Sequence, residues 1–72
     1  MRNYLVTLRK EKNYTQKQFA EKLDISESYY NQIENGERQK NMDVSLLCKI
    51  STVLNIPIVK LFEYEKKHKE EE

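Results

Sequence analysis

Residues 16–35 read QKQFAEKLDISESYYNQIEN, and this stretch decides the fold. Thr15 and Gln18 just before and within it have the T-x-x-Q spacing of a capping box. Tyr14 and Phe19 stand at the two positions of a hydrophobic staple. A helix therefore opens at Thr15, with Phe19, Ala20 and Leu23 as its buried stripe. Asp24-Ile25 is a tight connection, and Ser26 caps a second helix in which Ile25 and Tyr30 repeat the staple spacing. Asn35-Gly36 ends that helix, because glycine accepts the left-handed backbone of the position after a helix.

Two helices that cross steeply through a short turn need a small residue where they meet, and Ala20 fits. The turn needs a residue tolerant of positive φ, for which Asp24 is a second-rank but allowed choice. Phe19, Leu23, Ile25, Tyr30 and Ile33 then lock the pair together. Glu27, Ser28, Asn31 and Gln32 remain on the outer face of the second helix, free of core duty.

Outward from this pair, Asn3–Lys12 reads as a preceding helix with Leu5, Leu8 and Arg9 on one face, broken at Asn13-Tyr14. A polar loop, Glu37–Met42, follows Gly36. Asp43 caps a fourth helix through Leu54, with Val44, Leu47, Ile50, Val53 and Leu54 expected to face inward. Asn55 takes the left-handed stop. Pro57 starts a short last helix with Ile58, Leu61 and Phe62 as its apolar face. One glycine and one proline in the chain leave too few turn formers for a β-sandwich or barrel. The expected fold class is all-α: a compact five-helix domain over residues 1–62, followed by a charged tail, 63–72, expected to be a solvated helical extension or frayed end.

With 72 residues, 38% hydrophobic and 35% charged, the chain has room for one small, marginally stable domain. Cys48 is its one cysteine, so no internal disulfide forms; it is expected to be packed or half-buried. Cys48 and His68 cannot build a tetrahedral zinc site, and no cofactor or metal is expected. His68 is expected to be exposed. No apolar run is long enough for a membrane span or a leader core, and with the lone cysteine this points to the cytoplasm. Net charge is +1, but residues 1–62 hold ten Lys and Arg against seven Asp and Glu, while 63–72 hold three against five. The body is mildly basic and the tail acidic, so charge placement matters more than its sum. With one His, one Cys, no glycine-rich phosphate loop and no carboxylates clustered in an apolar setting, no catalytic constellation is visible, and the chain is not expected to be an enzyme.

The segments LRKEKNYTQKQFAEKLDIS, YYNQIENGER and LLCKISTVLNIPIVKLF resemble the Cro/C1-type, XRE-like helix-turn-helix family of lambda-repressor-like DNA-binding domains. The likeness runs over roughly residues 5–62. It implies a five-helix domain, generally a homodimer, that docks its third helix in the major groove. A B-DNA major groove about 12 Å wide admits one α-helix. The resemblance puts Glu27, Ser28 and Gln32 on base-reading positions, with Asn31 beside them. Glutamine and asparagine can pair with adenine, serine is permissive, and a carboxylate can accept from cytosine N4. Glu27 departs from the non-acidic residue many relatives carry there; it either reads cytosine or pairs with Arg38 or Lys40. Gln16 matches a phosphate-binding glutamine that can also brace the recognition helix. Arg38 and Lys40 match a phosphate-contacting loop, with Lys17 and Lys12 as weaker candidates. The Tyr29 hydroxyl either reaches a phosphate or is an exposed bystander. Arg9 and Glu34 match a structural clamp between the first and third helices. Leu61, Phe62 and Tyr64 form an apolar end expected to supply the dimer surface, with closure of the core as the other use.

The expected function is a sequence-specific, double-stranded DNA-binding transcriptional regulator, of repressor type, acting on a pseudo-palindromic operator. The controller protein of a restriction–modification locus falls within this class. The alternative is an antitoxin-like subunit that silences a protein partner through the tail and autoregulates its own operon.

Overall fold

A computed structural model describes residues 1–70. Among them the chain forms five helices and no strand: α1 Asn3–Glu11, α2 Gln16–Lys22, α3 Glu27–Asn35, α4 Val44–Leu54 and α5 Ile58–Glu70. The boundaries follow local chemistry. Thr15 Oγ1 accepts from the Gln18 amide and the Gln18 side chain accepts from the Thr15 amide, completing the capping box. Ser26 and Asp43 accept from the Tyr29 and Leu46 amides in the same way. Each connection also contains a left-handed residue: Asn13 (φ 62°), Asp24 (60°), Gly36 (82°) with Gln39 (57°), and Asn55 (56°). These residues let the helices reverse within a few positions, at a cost that Asn and Asp tolerate better than most side chains do.

The helix-turn-helix pair packs as expected. Phe19, Ala20, Leu23, Tyr30 and Ile33 are buried together with Leu5, Leu46, Leu47, Ile50, Leu54 and Leu61. The Phe19 ring meets Tyr30 edge-on at 5.2 Å between centroids and stacks on Tyr14 at 5.8 Å, so the staple is formed. Ile25 lies half-buried against this cluster.

Helix α4 is rotated relative to the expectation. Leu46, not Val44, joins the core, while Val44 stands in the first turn, 63% exposed, and Val53 is half-buried. Cys48, expected to be packed or half-buried, is exposed on the same helix.

The last helix departs most. It is not short: it runs 13 residues through Glu70, so residues 63–70 are the helical extension and not a frayed end. Leu61, Glu65 and His68 fall on one face of it and are all buried. His68 is therefore not a solvated side chain. Leu61 closes the protomer's own core at 0% exposure, which removes it from any surface between copies; Phe62 is 46% exposed and Tyr64 is half-buried, stacked on Tyr4. Among the described residues no single helix is long and apolar enough to cross a membrane.

Candidate nucleic-acid interface

Helix α3 is held from behind by one carboxylate. Glu34 is 1% exposed, and its side chain accepts from Arg9 Nε (2.7 Å), Gln16 Nε2 (2.8 Å) and the Tyr30 hydroxyl. Arg9 Nη1 donates to the Tyr14 carbonyl at 2.8 Å. The clamp between Arg9 and Glu34 is thus present and larger than a pair, because it ties α1, the start of α2 and α3 at one point. A buried charge set of this kind is tolerable only when its lone pairs and protons are all engaged. Among the described residues no buried side-chain nitrogen or oxygen lacks a partner. Burial lowers the pKa of Arg9, but the hydrogen bond and charge of Glu34 outweigh that and leave it above its ordinary value. Burial, and then the bond to Glu34, pushes the Tyr30 hydroxyl well above the usual tyrosine range.

The outer face of α3 divides into free and committed side chains. Glu27 and Ser28, in its first turn, are exposed and make no side-chain hydrogen bond among the described residues. Asn31 is half-buried and engaged on both sides: its Nδ2 donates to Gln16 Oε1 (3.2 Å) and its Oδ1 accepts from Asn35 Nδ2 (3.1 Å). Gln16 therefore braces α3 through both Glu34 and Asn31. Gln32 Oε1 accepts from Arg38 Nε at 3.1 Å. Arg38 thus meets Gln32, not Glu27, and Glu27 has neither of the cationic partners considered for it.

Lys17, Arg38 and Lys40 are exposed. Tyr29 is half-buried, and its hydroxyl accepts from Gln39 Nε2 at 2.7 Å. Gln39 also accepts from the Asp43 amide through its side-chain oxygen (3.0 Å), so Tyr29 braces the loop that carries Arg38 and Lys40. Among the described residues no group of three or more His, Cys, Asp and Glu is placed to hold a metal ion.

Sequence reasoning missed Arg2 entirely. It is 0% exposed. Its guanidinium donates to Glu65 twice, from Nε at 2.8 Å and Nη2 at 3.2 Å. It also donates to the carbonyls of Ile33 (2.6 Å), Arg38 (3.2 Å) and Gln39. The Tyr4 hydroxyl donates to the same Glu65, and burial followed by that bond and charge raises the Tyr4 pKa above its usual range. One signal in the sequence pointed this way. Leu61, Glu65 and His68 continue the apolar stripe of α5 at helical spacing, and a carboxylate within such a stripe implies a buried donor.

The five helices, the capped turn and an exposed third-helix face backed by a clamp define a Cro/C1-type helix-turn-helix protein. The helix-turn-helix family model matches residues 5–61, and the chain belongs to that family, one of DNA-binding regulators and not of enzymes. Its relatives include control protein C.MunI of Mycoplasma sp., 44% identical over 61 residues that span 83% of this chain and 80% of the relative. No solved structure gives a significant match. The protein is a sequence-specific, double-stranded DNA-binding transcriptional regulator.

Proposed function

We propose that the chain acts as a homodimeric repressor that lays α3 in the major groove of a pseudo-palindromic operator. Glu27, Ser28 and Gln32 read base edges there, with Asn31 holding the helix against Gln16. Lys17, Arg38 and Lys40 bind phosphates, and Gln16 and Tyr29 add polar contacts at the edges. The observation that carries this is an uncommitted first turn, Glu27 and Ser28, together with exposed cations at Lys17, Arg38 and Lys40, of which Arg38 bonds to Gln32 of the same helix. First-turn residues of a recognition helix reach base edges, and flanking cations fix its register on the backbone.

Phe62 and its neighbour Val59, both more than 40% exposed on α5, supply the contact between copies. The likeness to a control protein favours, among regulators, the controller of a restriction–modification locus. Such a protein works in the cytoplasm, beside the DNA it reads. The antitoxin-like alternative needs a chain end free to fold on a partner. Glu65 bonded to Arg2, and Lys69 bonded to Asn41, speak against that, while Glu71 and Glu72 lie outside the described residues.

Selection of bound duplexes from a random DNA pool tests the reading. A recovered palindrome with half-sites about 10 base pairs apart supports a dimeric reader. Recovery of no motif rejects it.

A further inference from the structure

The loop between α3 and α4 carries the two cations that the proposed function sets on the DNA backbone, and three sets of contacts hold it. Gly36–Arg38 stay attached to α3 through the Gln32 carbonyl, which accepts from the Glu37 (2.9 Å) and Arg38 (3.2 Å) amides. Gln39, left-handed at φ 57°, is held by Tyr29 and the Asp43 amide. The third support comes from the two ends of the described chain. Arg2 donates to the carbonyls of Arg38 and Gln39, Glu65 of α5 accepts from Arg2, and Lys69 of α5 donates to Asn41. The Arg2 amide donates to the Glu34 carbonyl at 2.7 Å, which brings its side chain beneath the end of α3.

Arg2 is fully buried and paired with a carboxylate, so it cannot itself reach a phosphate. Its five donors do something lysine or any apolar residue cannot: they span one carboxylate and three carbonyls from three separate segments. We propose that Arg2 is a positioning residue for DNA binding, pinning the Arg38–Gln39 backbone to α5 through Glu65 and so setting where Arg38 and Lys40 stand relative to α3. The inference rests on the phosphate-contacting reading of that loop. It adds that α5, through Glu65, controls a DNA contact it never makes.

Arg2→Ala strands the Glu65 carboxylate and endangers folding, so two other variants carry the test. Arg2→Met/Glu65→Met removes both charges together, so no buried charge is stranded, while it gives up the carbonyl bonds of Arg2 and the Tyr4 acceptor. Arg2→Lys keeps a cation for Glu65 but cannot span the carbonyls. Each is checked for its helical circular dichroism and melting, then titrated with the selected operator and a mixed-sequence duplex over a salt series well below melting. The expected result is a loss of about tenfold on both duplexes and a salt slope smaller by about one, as when one phosphate contact is lost. Amide exchange is expected to speed up over residues 37–42. Affinity within twofold of wild type, or a loss with an unchanged slope, in a folded variant overturns the proposal and leaves Arg2 and Glu65 holding the fold alone. Wild-type titrations run alongside keep the outcomes apart: failure of the wild type to bind rejects the functional reading, and failure of the variants to differ rejects this one.

Discussion

Arg9 Nε donates to Glu34 Oε2 at 2.7 Å, joining the first helix to the third with both side chains under a tenth exposed. The asymmetry of such a pair is its main consequence. Removing both charges is commonly tolerated, whereas removing one leaves the other buried without compensation. Arg9→Ala is expected to destabilise the fold by about 3–5 kcal/mol, and Arg9→Met/Glu34→Met by much less. Urea unfolding of both variants checks this. Equal losses would mean that the attraction of the pair, or the bonds of Gln16 and Tyr30 to Glu34, stabilise the fold as much as the stranded charge costs it.

Tyr30 and Tyr4 each donate a hydroxyl proton to a buried carboxylate, and each has its pKa raised by burial and by that carboxylate. Below the unfolded tyrosine pKa of about 10, their contribution to stability is fully present. Above it, the unfolded chain releases protons that the folded chain keeps, so stability falls as pH rises, by up to about 1.4 kcal/mol per pH unit for each group. Tyr30→Phe is expected to flatten this alkaline decline. Urea midpoints between pH 8 and 11 measure it, and a decline as steep in the variant as in wild type would clear Tyr30 of the effect.

Gln32 is expected to read a base. Gln32→Ala should weaken operator binding by about 1–3 kcal/mol while leaving mixed-sequence binding nearly unchanged. Because Gln32 also accepts from Arg38, a second result is informative. Equal losses on both duplexes would make Gln32 a holder of Arg38 instead of a reader.

Lys40, exposed in the loop and free of side-chain partners among the described residues, is expected to meet a phosphate. Lys40→Ala should weaken every duplex alike and lower the slope of log affinity against log salt by about one. An unchanged slope would return Lys40 to an ordinary solvated charge.

Phe62 stands 46% exposed beside the buried Leu61. If copies associate through α5, Phe62→Asp should sediment as a monomer at concentrations where wild type sediments as a dimer. Its melting is expected to stay cooperative, since no core position changes. Identical sedimentation would move the contact off this helix.

What could be read from the chain followed the range of the physics. Caps act over three residues and staples over five, so Thr15, Ser26, Asp43, Gly36 and Asn55 announced their helix ends correctly. The clamp of Arg9 on Glu34 was legible through resemblance to a family, whereas the outer face of α3 followed from which of its residues the helix pair needs for packing. Arg2 and Glu65 are 63 residues apart, so although a carboxylate in the α5 stripe calls for a buried donor, nothing local names Arg2 as that donor. The charged composition of residues 63–70 suggested solvent, yet charge describes a helix as a whole while burial is decided face by face. Leu61, Glu65 and His68 form the inward face; Phe62, Glu63, Lys66 and Lys67 form the outward one. For the same reason Val44 and Leu46 exchanged places, since a helix two residues into its first turn can present either to the core.

Asp24 closes the connection between α2 and α3 in a single left-handed step, and Asn13 and Asn55 do the same in the other two short connections. Joints this short act as phase locks. One residue inserted after Asp24 would turn α3 about its own axis by about 100°, carrying Tyr30 and Ile33 out of the core and Glu27 and Gln32 away from the outer face. A regulator of this build can change its operator by exchanging side chains in place. It cannot do so by lengthening or shortening the chain between its helices.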